Sequence, residues 1–161
     1  MRFQIISNGE HETMHIAKAI APLFSAGDLI LLDGDLGTGK THFVKGFSEG
    51  LGSHNQVTSP TFSIAHFYET AGMDLLHIDL YRIDTIGDFH DLALTDYFPQ
   101  TIVMIEWGAK FSAHFDEFVQ LTFGYVKNEK NKRELTFSFK GERSASLVSL
   151  MREKLPNLQP C

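Results

Sequence analysis

The residues with the clearest chemical potential are Gly34-Asp35-Leu36-Gly37-Thr38-Gly39-Lys40-Thr41, which fill every fixed position of G-x-x-x-x-G-K-[ST]. Each residue type has its own reason to be there. Glycines let backbone N–H groups turn inward and approach a phosphate with no Cβ in the way. A helix starting near Gly39 and Lys40 adds the partial positive charge of its N-terminus, which favours anions. Lys40 can bridge β- and γ-phosphate oxygens, and the Thr41 hydroxyl can ligate magnesium. Gly34, Asp35, Leu36, Gly37, Thr38, Gly39, Lys40 and Thr41 are therefore expected to bind ATP with Mg2+, and Lys40 to act in catalysis as well. Asp35 and Thr38 occupy variable positions, and Asp35 reads as an acceptor that shapes the loop. A chance match to the fixed positions in a chain of this length is on the order of half a per cent.

Such a loop needs a carboxylate that organises magnesium, usually at the end of a buried strand. Two qualify: Asp79, after Leu75-Leu76-His77-Ile78, and Glu106, after Ile102-Val103-Met104-Ile105. Both are candidates for metal binding and for catalysis, one as a metal partner and the other as a base that orients water. Their division of labour stays open at this point. Thr58-Ser59-Pro60-Thr61-Phe62 is a hydroxyl-rich loop that could fold over a γ-phosphate as a nucleotide-sensing switch.

Elements able to position these groups are legible around them. Residues 3–6 read as a short strand, 10–24 as a helix and 28–33 as a strand buried on both faces. The helical pattern resumes over 41–51. Residues 61–68 and 73–80 form a hairpin around Thr70-Ala71-Gly72, and Asp84 is a candidate N-cap for a short helix through Leu92. Another buried strand spans 101–105, a second hairpin joins 118–126 to 134–139, and a last amphipathic helix covers 144–155 before Pro156. The reading is an α/β fold: one P-loop NTPase domain over 1–161, with a mixed sheet flanked by helices.

Bulk properties agree with that reading. The chain of 161 residues is 43% hydrophobic and 21% charged, as an ordinary globule is. Its one cysteine, Cys161, excludes an internal disulfide framework and suits a reducing compartment. Ser7-Asn8-Gly9-Glu10 interrupts the N-terminus before a signal-peptide core could form, and no apolar run approaches the ~20 residues of a bilayer span. A cytoplasmic protein without membrane contact is expected. A formal net charge of -6 argues against independent tight binding to nucleic acid, which rests on Lys and Arg contacts to phosphate.

Taken together, the motifs resemble those of the bacterial TsaE (YjeE) family, ATPases required for making threonylcarbamoyladenosine on tRNA. The resemblance rests on the 34–41 loop followed by Phe43, on Ser59-Pro60-Thr61-Phe62, on His77-Ile78-Asp79-Leu80-Tyr81-Arg82 and on Glu106-Trp107, in that order. It covers about residues 5–140. It implies that Thr41, Asp79 and Glu106 serve a magnesium site, that Thr61 belongs to the switch-like loop, and that Thr13 lies near the nucleotide. It also implies a partner, the TsaB–TsaD pair that transfers the threonylcarbamoyl group to adenosine 37 of certain tRNAs, with tRNA touched only indirectly. Two features depart from the family pattern: His42 stands where a small hydroxyl residue is more usual, and the tail beyond Gly141 matches little of it. The rival functions are a small P-loop nucleotide kinase and a non-catalytic nucleotide-dependent switch. A kinase lid would need clustered arginines, but Arg82, Arg133, Arg143 and Arg152 are scattered. No N-K-x-D run follows the loop, which weakens a GTPase reading.

Overall fold

The computed structural model describes residues 1–161. The most apolar runs of the chain lie side by side at its centre: β2 (Leu29–Asp33), β4 (Leu75–Asp79) and β5 (Ile102–Glu106). They pair in parallel, and β6 (Phe118–Val126) extends the parallel set beyond β2. β3 (Ala65–Tyr68) joins β4 antiparallel at one edge, while β7 (Glu129–Lys140), β1 (Arg2–Ser7) and β8 (Gln159–Pro160) continue antiparallel at the other. The single sheet of eight strands runs β3-β4-β5-β2-β6-β7-β1-β8, the mixed arrangement expected.

Side chains alternate across a strand, so each central strand feeds two layers. Ile30, Leu32 and Met104 pack with Ile16 and Ile20 of α1 (Glu10–Ile20), Phe43 and Phe47 of α2 (Lys40–Gly50), and Leu147 and Met151 of α4 (Glu142–Lys154). Leu31, Ile78 and Ile105 face the opposite layer, where Phe89 of α3 (Ile86–Asp91) stacks on Phe111. α1 and α2 cross so closely that a Cβ on Gly46 would fall 2.2 Å from the Met14 carbonyl oxygen. That contact fixes the axis of α2, and with it the direction in which its N-terminus points.

Several boundaries differ from the sequence reading. The first helix ends at Ile20 and tightens into a 3₁₀ turn over Ala21–Leu23, because Pro22 has no N–H with which to continue the ladder. Thr85, not Asp84, caps α3: its hydroxyl accepts from the Asp88 N–H at 3.1 Å. Residues 61–64 form a turn before β3, closed by Ile64 at φ 69°. The second hairpin turns at Asn128 (φ 64°), which as an asparagine tolerates the left-handed region, and its returning strand starts at Glu129 rather than at 134. The tail beyond Gly141 belongs to the core, with Leu147, Val148, Met151, Leu155 and Leu158 all buried. Arg143 grips both carboxylate oxygens of Asp28, at 3.1 and 2.9 Å, and ties α4 to the start of β2. No helix is long and apolar enough to cross a membrane.

Candidate functional site

Register decides where the chemistry collects. Glu106 pairs with Asp79 on one side and with Leu32 on the other, so β2, β4 and β5 end level. In parallel α/β sheets the crevice beyond such carboxyl ends is where ligands bind. β2 leaves its last residue, Asp33, directly into the glycine-rich loop. Gly34 has φ 139°, and a Cβ there would sit 2.7 Å from the Phe123 carbonyl oxygen, so only glycine lets the loop turn so close to β6.

A cavity of about 400 Å³ opens at these strand ends. Of the residues expected from sequence, Leu36, Gly37, Gly39, Lys40, Thr41, Thr61, Asp79 and Glu106 line it. Gly34, Asp35 and Thr38 shape it from behind. The Thr38 hydroxyl donates to the Asp35 carbonyl at 2.7 Å, and Lys40 Nζ donates to the carbonyls of Gly34 and, at 3.0 Å, Asp35. Thr13 lies outside the lining: its side chain is buried, its hydroxyl is bonded to Ser7 Oγ at 2.7 Å, and its methyl lies 3.9 Å from the Cβ position of Gly39. It supports the loop from below.

The two carboxylates have different settings. Asp79 uses both oxygens, with Oδ2 accepting from the Thr61 hydroxyl at 2.8 Å and Oδ1 from the Tyr81 N–H at 2.8 Å. Glu106 directs Oε1 to His77 Nε2 at 3.0 Å and to the Thr41 hydroxyl at 3.5 Å, while Oε2 makes no hydrogen bond within the protein. Ile64 and Trp107, on the chain segments bounding the site, both hold positive φ, of 69° and 60°. A β-branched residue there is a strained one, and such strain gathers at working sites.

Sequence reasoning gave His77, Tyr81 and Trp107 no role in the site, although each lies inside a motif it singled out. The Trp107 ring lies 4.7 Å from Lys40 Nζ and 5.2 Å from the Tyr81 ring. His42, which stands where a small hydroxyl residue is more usual, is on the rim of the cavity, 3.4 Å from Glu10.

Burial pushes the Lys40 amine below its ordinary 10.5, against the opposing pull of Glu106, Asp33, Asp79 and Asp35. The folded protein thus binds the Lys40 proton less tightly than the unfolded chain does. Its stability should accordingly rise with pH between the lowered folded value and 10.5. Thermal melts of wild type against Lys40→Met from neutral to alkaline pH check this: the wild type should gain on the variant as pH rises. A constant difference would mean that burial does not penalise the ammonium.

The donor set fits magnesium. No group of three or more His, Cys, Asp and Glu side chains is arranged to hold a metal alone. Magnesium keeps several waters and is usually held by one or two carboxylates completed by phosphate oxygens. Thr41, Asp79 and Glu106 around one cavity are that kind of partial set.

Comparison with known proteins follows the same line. A family model described as threonylcarbamoyl adenosine biosynthesis protein TsaE matches residues 7–135. A Bacillus subtilis protein named tRNA threonylcarbamoyladenosine biosynthesis protein TsaE is 38% identical over 133 residues, 82% of each chain. A Treponema pallidum protein of the same name is 32% identical over 132 residues, which are 81% of this chain and 96% of that one. The crystal structure of Bacillus subtilis YdiB superposes with a TM-score of 0.80 at 31% identity, covering 95% of both chains.

Proposed function

Since this chain belongs to the TsaE family of tRNA threonylcarbamoyladenosine biosynthesis proteins, we propose that its cavity binds ATP with magnesium and hydrolyses it in support of a TsaB–TsaD complex. The observation that carries the reading is the convergence of Lys40, Thr41, Thr61, Asp79 and Glu106 on one cavity at level strand ends. The loop N–H groups and the N-terminus of α2 hold the phosphates. Lys40 Nζ exchanges the carbonyls of Gly34 and Asp35 for β- and γ-phosphate oxygens. Magnesium, held by Thr41 with Asp79 or Glu106 and water, would neutralise phosphate charge.

The difference between the carboxylates divides their work. Asp79 is committed to Thr61 and to the Tyr81 N–H, so it organises the metal shell and latches the loop over the site. Glu106 keeps one oxygen free beside the cavity and is placed to orient the attacking water. The water oxygen bonds to the γ-phosphorus as the bond to the β–γ bridging oxygen breaks. ADP leaves with that oxygen, and the proton of the water passes through Glu106. No arginine lines the cavity, which favours water over a second phosphate as acceptor and speaks against a nucleotide kinase. Titration with ATP and single-turnover phosphate release test the reading. Tight magnesium-dependent binding with slow release is the expected result. Binding without release would leave a nucleotide switch, and no binding would end the assignment.

Thr61 connects nucleotide state to partner. Its hydroxyl reaches Asp79 and also Ser59 Oγ at 2.8 Å, so a γ-phosphate arriving at this point competes for the same hydroxyls. Loop ordering of this kind exposes or buries a docking surface. The ATP and ADP states should therefore bind the TsaB–TsaD complex with affinities that differ by ~1–3 kcal/mol, the usual range of allosteric coupling. Thr61→Ala should shrink that difference while ADP binding stays nearly intact. Equal affinities of both wild-type states, measured by titration of the purified complex, would mean that nucleotide does not gate the partner. The acidic charge fits a protein that leaves RNA contacts to its partner, and a cytoplasmic location goes with this reading.

A further inference from the structure

His77 is fully buried at the middle of β4, an expensive place for an imidazole unless its polar atoms are used. Only one of them is. Nε2 meets Glu106 Oε1 at 3.0 Å, while Nδ1 is buried with no partner. An ionised Glu106 accepts, so Nε2 carries the hydrogen, and Nδ1 is left with a lone pair rather than a stranded N–H. The cross-strand step from β4 to β5 puts His77 opposite Met104 and Asp79 opposite Glu106. Strand alternation places His77, Asp79, Met104 and Glu106 on one face, so the imidazole reaches Glu106 diagonally from behind. On its other side the His77 ring leans on Tyr68, with centroids 6.1 Å apart at 37°. Tyr68 is itself pinned: its hydroxyl donates to the Thr58 carbonyl at 3.0 Å and accepts from the Thr58 N–H at 3.3 Å. Burial keeps that phenol above its ordinary 10.0, in the protonated form that can donate. Thr58 opens the loop that carries Thr61.

From this chain of contacts we infer that His77 is a positioning residue for Glu106. It holds Oε1 so that Oε2 faces the cavity, and its Tyr68 backing links that carboxylate to the root of the Ser59–Thr61 loop. The inference rests on the hydrolytic reading of the site. The imidazole does not line the cavity. A residue that only filled the core would tolerate any side chain of similar shape, whereas this one must donate to Glu106.

The test is a double-mutant cycle. His77→Gln can place an amide donor near the Nε2 position, whereas the shorter His77→Asn cannot reach Glu106. His77→Asn should lower kcat by about 10–100-fold, as removal of outer partners of a metal-site ligand does, with KM for ATP and ADP affinity little changed. His77→Gln should recover most of the loss. Because His77 acts through Glu106, His77→Asn should add almost nothing in a Glu106→Gln background. The same cycle is run on the ratio of analogue affinities with and without magnesium, which needs no turnover and can be read from Trp107, the only tryptophan. Equal additive losses in both backgrounds, or a Gln variant no better than Asn, would overturn the inference. Should wild type bind nucleotide without hydrolysing it, the hydrolytic reading fails while the magnesium ratio still decides His77. Absence of wild-type nucleotide binding would overturn both.

Discussion

Lys40→Ala should lower ATP turnover by about 10²–10³-fold, the usual cost of deleting one preorganised donor aimed at developing charge. Two features of the site make the loss large. Lys40 is the one lysine or arginine that lines the cavity, and it faces carboxylates at Glu106, Asp33, Asp79 and Asp35. Without it, the phosphates of ATP would meet an acidic site through backbone N–H groups alone. ADP affinity should fall less than turnover, because those N–H groups and the N-terminus of α2 remain. The fold should survive, since Lys40 Nζ bonds only to loop carbonyls and rests on Trp107. Its removal also lifts a desolvation cost that burial imposes on the ammonium. Phosphate release at saturating magnesium is the measurement. A rate equal to wild type would end the P-loop assignment, whatever the resemblance of the loop.

The contrast between what sequence showed and what it hid follows the range of the interactions. The glycine-rich loop is contiguous, with Gly34, Gly37 and Gly39 all at positive φ, so its residues could be read off in order. Asp79 and Glu106 were visible because a carboxylate ending an apolar run is unusual within the run itself. What joins them was not. The Thr61–Asp79 bond and the Glu106–His77 pair depend on the register of β3, β4 and β5, and register is a property of pairing between distant segments. His77 also looks apolar by context, one more buried position inside a strand, until the diagonal neighbour on β5 is known. The tail shows the same limit from another side. Its helical period was plain, but its docking depends on Arg143 meeting Asp28 across most of the chain. Helix boundaries failed where a single residue decided them, as at Pro22 and Thr85.

Asp79→Asn isolates charge from shape at the other end of the site, and its effect should appear mainly in magnesium. The amide oxygen can still accept from the Tyr81 N–H. The amide nitrogen can donate to the Thr61 hydroxyl, which accepts as readily as it donates, so the latch keeps its geometry. What is lost is a negative charge at a position only 4% exposed, where water screens little. The magnesium concentration for half-maximal turnover should rise by about 10–100-fold, and kcat at saturating magnesium should fall less. Thr61→Ala makes the opposite cut, removing the latch while keeping the charge, and should leave the magnesium midpoint near wild type. The pair therefore separates metal organisation from loop control, two tasks that converge on one carboxylate. Magnesium titrations of single-turnover rates give both numbers. If Asp79→Asn leaves the midpoint unchanged, Asp79 is a structural anchor for the loop, and the metal role passes to Glu106, which lines the same cavity.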